Sequence, residues 1–237
     1  MELKIYNSKA DVARALSEHV EIWCREEGLS SIALSGGSTP EIWFDLLAEE
    51  YLQRLPWPDL SFYWGDERCV PPDDAQSNYR MTRIHLLDKV PVNPSRIFRV
   101  RGENPPSEEA VRYSKLLDAT LKEVGGIPQF DLVILGMGDD GHTASIFPHQ
   151  IGLWESESHC VVAEHPESGQ KRISLTGQII NNAKRVVFLV TGANKAAPLD
   201  QIINKRPGSE QLPASLVAPS SGRLLWMVDE QAARMSR

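Results

Sequence analysis

Short β-branched or aromatic runs recur along the chain at Ile32 to Leu34, Phe62 to Trp64, Ile97 to Val100, Leu132 to Leu135, Val186 to Val190 and Leu224 to Val228, with helix-length stretches between them. That alternation predicts an α/β fold with a parallel sheet covered by helices. Before the first run, Ser8 is placed to cap a helix with Asp11 three residues on, and Val12, Leu16, Val20 and Trp23 form its apolar stripe. A second helix is expected after Pro105 and Pro106, with Ser107 as cap and Glu108 and Glu109 in its first turn. Its inward face would be Ala110, Tyr113, Leu117, Leu121 and Val124, and Gly125 and Gly126 would end it. Apolar runs resume soon after the Pro-rich stretches near Pro56, Pro72, Pro91 and Pro105, so these are expected to be loops within one domain covering 1–237.

Composition narrows the function more than the fold. With 41% hydrophobic residues the chain can bury a sizeable core. The 25 Lys plus Arg against 32 Asp plus Glu leave a formal charge of -7, so neither nucleic acid nor an anionic membrane is an expected partner. An anionic ligand would need a local basic pocket. Cys24, Cys69 and Cys160 lie far apart with no C-x-x-C, which points to no disulfide framework and no zinc site. The polar start Met1 to Ile5 and the lack of a spanning apolar run lead to the expectation of a cytoplasmic protein. Composition carries no information on oligomeric state.

In an open parallel sheet, ligands bind beyond the carboxyl ends of strands, and four such ends carry chemistry. Ser35-Gly36-Gly37-Ser38-Thr39-Pro40 combines close backbone approach, two hydroxyls and a proline suited to a first helical turn. It is either a phosphate cradle or a tight capped turn. Gly65-Asp66-Glu67-Arg68 offers a guanidinium to an anion, unless Arg68 pairs with its neighbouring carboxylates. Gly136-Met137-Gly138-Asp139-Asp140-Gly141-His142-Thr143 formally matches a dinucleotide fingerprint, but its aspartates would face a pyrophosphate and the match is rejected. The better reading is His142 as a base near neutral pH, with a neighbouring acid fixing its tautomer. Thr191-Gly192-Ala193-Asn194-Lys195 puts a lysine in a first helical turn, where the helix dipole disfavours it unless an anion is near. No G-x-S-x-G elbow or H-E-x-x-H is present, which sets those catalytic arrangements aside, and no His, Cys or carboxylate cluster has ligand spacing, so the expectation is of no metal and no cofactor.

These four motifs, with Ser77-Asn78-Tyr79, Ala144-Ser145-Ile146-Phe147-Pro148 and Pro213-Ala214-Ser215 followed by Gly222 and Trp226, resemble the 6-phosphogluconolactonase family across nearly the whole chain. The resemblance implies a Rossmann-like sandwich shared with glucosamine-6-phosphate deaminases, a mostly parallel sheet with helices on both faces. It implies hydrolysis of 6-phosphogluconolactone in the pentose phosphate pathway. It further implies His142 as base oriented by Asp140, and a phosphate held at Gly36, Gly37, Ser38 and Thr39 with Arg68, Lys195 and Arg172. Asp66 and Glu67 would either touch substrate or orient Arg68. The deaminases are the runner-up, but they carry an aromatic residue where Arg68 stands and a glutamate where Phe147 stands. A sugar-phosphate-sensing domain of a transcription regulator is a third reading, and no basic DNA-binding segment precedes Ile32.

Overall fold

The computed structural model describes residues 1–236. In chain order the elements are β1 (Glu2–Tyr6), α1 (Lys9–Glu27), β2 (Ser31–Leu34), α2 (Ser38–Glu50), β3 (Ser61–Trp64), β4 (Asp66–Arg68), α3 (Asn78–Thr82), α4 (Pro106–Thr120), β5 (Lys122–Val124) and β6 (Ile127–Gln129). Then follow β7 (Leu132–Leu135), β8 (Cys160–Glu164), β9 (Lys171–Leu175), α5 (Gly177–Asn182), β10 (Val186–Val190), α6 (Ala196–Ile203) and β11 (Leu224–Asp229). Six strands form a parallel sheet in the order β1-β11-β10-β7-β2-β3. Strands β2, β3, β7 and β10 are buried at every position, as parallel strands covered on both faces must be. Phe188 and Trp226, cross-strand partners on β10 and β11, stack with ring centroids 3.8 Å apart.

Ser8 caps α1, accepting from the Asp11 N–H at 3.2 Å, and Val12, Leu16 and Val20 are buried as the stripe predicts. Two expectations around α4 are corrected. The helix begins at Pro106, so Ser107 lies inside its first turn and caps nothing; Pro106 needs no partner for the N–H it lacks. Gly125 and Gly126 form the turn of the β5–β6 hairpin instead of ending the helix, and Val124 is an exposed strand residue.

The run Ile97 to Val100 is not a strand either. It touches the sheet through one bridge, Phe62 to Ile97, while Phe98 stacks on Tyr63 at 4.7 Å, so its apolar side chains cover the β3 edge without a ladder. Conversely, the edge strand β1 was not expected, because none of its five residues is fully buried and its sequence Glu-Leu-Lys-Ile-Tyr carries little apolar signal. A second sheet, β4-β9-β8, is antiparallel and leads directly off β3 through Gly65, whose N–H donates to the Leu34 carbonyl and whose carbonyl accepts from Leu175. This small sheet walls one side of the carboxyl edge of the main one.

Candidate active site

Loops at the carboxyl ends of β2, β3 and β7, with β4, β9 and Lys195, enclose a cavity of about 200 Å³. Its wall includes Gly36, Asp66, Arg68, His142, Arg172 and Lys195. His142 sits on the turn after β7, held by a hydrogen bond from the Gly138 N–H to its carbonyl at 2.9 Å. Its Nδ1 lies 2.6 Å from Asp140 Oδ1, which also accepts the His142 backbone N–H at 3.0 Å. With Nδ1 donating to a carboxylate, Nε2 carries the lone pair and is the basic atom. Partial burial works to raise the Asp140 carboxyl, but the hydrogen bonds and charge of His142 outweigh it and hold Asp140 at about 2. Gly138 is required here: a Cβ would lie 2.1 Å from His142 Nδ1 and 2.5 Å from Asp140 Oδ1. On its other side the imidazole rests against the buried Phe147 ring, centroids 4.6 Å apart.

The opposite character of the site is cationic. Arg68 on β4 makes no ion pair with Asp66 or Glu67; its guanidinium donates to the Gln76 carbonyl at 2.5 Å. Arg172 on β9 stands opposite it in the ladder and lies over the Phe147 ring at 5.5 Å. The Nε atoms of both arginines are buried without a hydrogen-bond partner, an unmet donor capacity that a bound oxyanion would satisfy. Burial pushes the Lys195 ammonium down, while Asp139 and Asp140 act to raise it.

The two acids after β3 have different duties. Asp66 is buried on the cavity wall, where its Oδ2 accepts the Ser145 hydroxyl at 2.6 Å. Glu67 turns away from the cavity into the protein and caps α3, accepting from the N–H groups of Arg68, Asn78 and Tyr79 and from the Ser77 hydroxyl at 2.7 to 3.0 Å. Burial pushes Glu67 up to about 7, against the backbone donors that favour its charged form. The anchored Asn78 then fixes the glycine-rich loop: its amide donates to the Asp66 carbonyl at 2.9 Å, and a Cβ on Gly36 would meet its Oδ1 at 2.0 Å.

Thus Gly36, Gly37, Asp66, Arg68, His142, Arg172 and Lys195 share one cavity, with Asp140 directly behind His142. Glu67 is a scaffold residue. Thr39 is buried and spends its hydroxyl on Thr191 at 2.7 Å, tying the β2 and β10 loops together, and Ser38 lies exposed at the margin. Sequence reasoning missed Asn78 and Ser145 as members of the site; both lie in quoted motifs, but only the fold shows that they brace Asp66 and Gly36. Burial pushes the thiols of Cys24 and Cys160 up to about 12 and that of Cys69 up to about 11, which removes them as nucleophiles near neutrality. Among the described residues no three His, Cys, Asp or Glu side chains converge as a metal site requires, and no helix is long and apolar enough to cross a membrane. A larger cavity of about 410 Å³ at the amino ends of β1, β10 and β11 is lined by Arg185 and Arg223, but Glu27 already pairs with both.

Residues 7–226 match the family model described as glucosamine-6-phosphate isomerases/6-phosphogluconolactonase. A 6-phosphogluconolactonase of Treponema pallidum is 44% identical, the match covering 94% of this chain and 92% of that one. One from Haemophilus influenzae is 43% identical over 86% of each. The structure of 6-phosphogluconolactonase from Trypanosoma brucei superposes with a TM-score of 0.83 at 30% identity, covering 98% of this chain and 97% of that one. A monomeric glucosamine-6-phosphate deaminase shares the fold with a TM-score of 0.83 at 22% identity, over 99% of this chain and all of that one. The chain belongs to the glucosamine-6-phosphate isomerase/6-phosphogluconolactonase family, as a lactone-hydrolysing enzyme of its 6-phosphogluconolactonase branch.

Proposed function

We propose that the whole chain acts as one catalytic domain that hydrolyses 6-phospho-D-glucono-1,5-lactone to 6-phospho-D-gluconate, a step of the pentose phosphate pathway, with a histidine-activated water and no metal. The observation that carries this reading is the pairing in one cavity of a carboxylate-oriented imidazole with three cations, Arg68, Arg172 and Lys195, that have no carboxylate within ion-pair distance among the described residues. The cations suit the phosphate, together with the backbone of Gly36 and Gly37 and the hydroxyl of Ser38 at the start of α2. His142 Nε2 takes a proton from water as the water oxygen bonds to the lactone carbonyl carbon. The tetrahedral intermediate then expels the ring oxygen, which receives that proton from His142 and becomes the sugar-chain hydroxyl. Asp140 holds the imidazole in the required tautomer and stabilises the imidazolium that forms between the two steps.

Phe147 separates this reading from deaminase chemistry. It is buried between His142 and Arg172, and an apolar ring there supplies no carboxylate for opening an amino sugar. The low cysteine content, the net negative charge and the small-molecule cavity are in keeping with a cytoplasmic enzyme that has neither nucleic acid nor membrane as partner. The deciding experiment is hydrolysis of freshly generated 6-phosphogluconolactone with the spontaneous rate subtracted, alongside glucosamine 6-phosphate. Acid release from the lactone and no ammonia from the amino sugar are expected. Ammonia without lactonase activity would overturn the assignment.

A further inference from the structure

The first residue of α1, Lys9, is unexplained by the architecture that holds it. Strand β1 runs parallel to β11, so its carboxyl end delivers the start of α1 to the same edge of the sheet as the candidate site. Ser8 caps the helix and Asp11 supplies the acidic first turn, both favourable for the dipole, whereas a cation at the first helical position is not. Lys9 has no carboxylate within ion-pair distance among the described residues, and instead its Nζ donates to the Ser38 hydroxyl at 3.3 Å, 29 residues away in sequence. The loop Ser35 to Pro40 carries no basic residue of its own. Lys9 also acts on Lys195, where its charge opposes protonation while Asp139 and Asp140 favour it. Two helix starts therefore bring two lysines to one glycine-rich loop, each against its own helix dipole.

We propose that Lys9 is a further phosphate-binding cation of this site, completing the substrate's phosphate shell from the α1 side across Ser38. The inference rests on the reading that the phosphate lies at the Gly36 to Thr39 loop. A dianion there relieves the repulsion between the two lysines and accounts for the stability sacrificed at the α1 start.

Three variants separate charge from hydrogen bonding: Lys9→Arg keeps the charge, Lys9→Gln keeps a donor to Ser38 without charge, and Lys9→Glu reverses the charge. With the phosphorylated lactone, Lys9→Gln is expected to raise KM roughly 5- to 30-fold with kcat within about twofold, for a charge-assisted bond at a partly exposed site. Lys9→Arg should stay near the parent and Lys9→Glu should be weaker than Lys9→Gln. Competitive inhibition by inorganic phosphate should weaken in parallel, while hydrolysis of unphosphorylated glucono-1,5-lactone stays at the parent value in all three. Melting temperatures should hold or rise in Lys9→Gln and Lys9→Glu, since the dipole conflict is removed. A parent-like KM and phosphate inhibition in Lys9→Gln, or equal damage with both lactones, overturns the role of Lys9 alone. A parent enzyme that neither prefers the phosphorylated lactone nor is inhibited by phosphate overturns the phosphate site itself, and Lys9 with it.

Discussion

Arg68 and Arg172 stand directly opposite one another on the antiparallel β4–β9 ladder, two like charges at the spacing where cross-strand neighbours interact most strongly. Burial pushes the Arg172 guanidinium down and Arg68 adds to that, with Asp66 and Glu67 opposing. Two like charges so placed cost stability in the free protein, and under the proposed phosphate site an anion bridging both guanidiniums would relieve that cost. Replacing either by Gln is expected to raise KM by about 10- to 100-fold, in line with about 1.5–3 kcal/mol for a charge-assisted hydrogen bond. Inorganic phosphate should raise the parent's melting temperature and do so far less in the variants. Equal stabilisation of parent and variants by phosphate would place the anion elsewhere.

Asp66 and Glu67 are adjacent in sequence and are expected to fail differently. Glu67→Gln sets an amide NH₂, which cannot accept, among the three backbone N–H groups and the Ser77 hydroxyl that now share two carboxyl oxygens, which costs about 1–3 kcal/mol of stability, or roughly 3–10 °C in melting temperature for a chain of this size. Because burial raises the folded Glu67 above its ordinary 4.5, its protonated form is the one the fold favours. Its contribution to stability is thus largest below pH 4.5 and declines as pH rises through about 7, and urea midpoints of Glu67→Gln relative to the parent should narrow across that window. Asp66→Asn should instead melt close to the parent and lose activity, because Asp66 faces the cavity. A reversed pattern in melting and activity would exchange the two roles.

Five of the six strands of the parallel sheet and every motif at their carboxyl ends could be read from local pattern, because buried parallel strands are continuously apolar and because Gly-rich strand ends interrupt that pattern abruptly. What escaped depended on partners distant in sequence. β1 is held by β11, more than 200 residues away, and its own residues carry little signal. The Arg68–Arg172 pairing needs the antiparallel register of β4 and β9, which no spacing in the chain encodes. Glu67 looked like a ligand because its capping targets, Ser77 to Tyr79, follow a loop whose path brings them back. Lys9 was invisible for the same reason: its partner Ser38 lies on another helix.

Gly138→Ala tests whether the β7 turn is shaped around the histidine. The new methyl group would meet Nδ1 of His142 and the Asp140 carboxylate, both at the ends of side chains able to swing away, so the fold should persist while the pair separates. A loss in kcat of about 10² or more with KM near the parent is expected, approaching the loss on removing the imidazole itself. Near-parent kcat would show that the imidazole works without its carboxylate.

Activity is expected to survive exhaustive dialysis against a chelator, because the ionisable side chains of the cavity are one imidazole, carboxylates already hydrogen-bonded, and cations that repel a metal. Rates before and after dialysis, with metals added back singly, decide the point. Restoration of lost activity by one divalent ion would replace the water-activation scheme with a metal-assisted one.

His142→Gln carries the heaviest consequence. A base that accepts a proton from water in the transition state is typically worth about 10²–10⁴ in rate, so kcat should fall by that order while KM changes little. The same substitution removes the imidazole hydrogen bond and charge that, together with backbone N–H donors, hold Asp140 at about 2 rather than near its ordinary 3.8. A depressed carboxyl stabilises the folded state above its unfolded value, and that stabilisation is lost as pH falls through the folded value, here between about pH 4 and pH 2. A carboxyl-carbon NMR titration should therefore show the Asp140 midpoint moving upward in His142→Gln, tying the kinetic loss to the same pair of atoms that lie 2.6 Å apart. Asp140→Asn should lower kcat by less, because an amide oxygen still accepts from Nδ1 but gives the imidazolium no counter-charge. If folded His142→Gln hydrolysed the lactone at the parent rate, the turn after β7 would not be the catalytic centre, and Asp66, the remaining acid on the cavity wall, would be the base to test next.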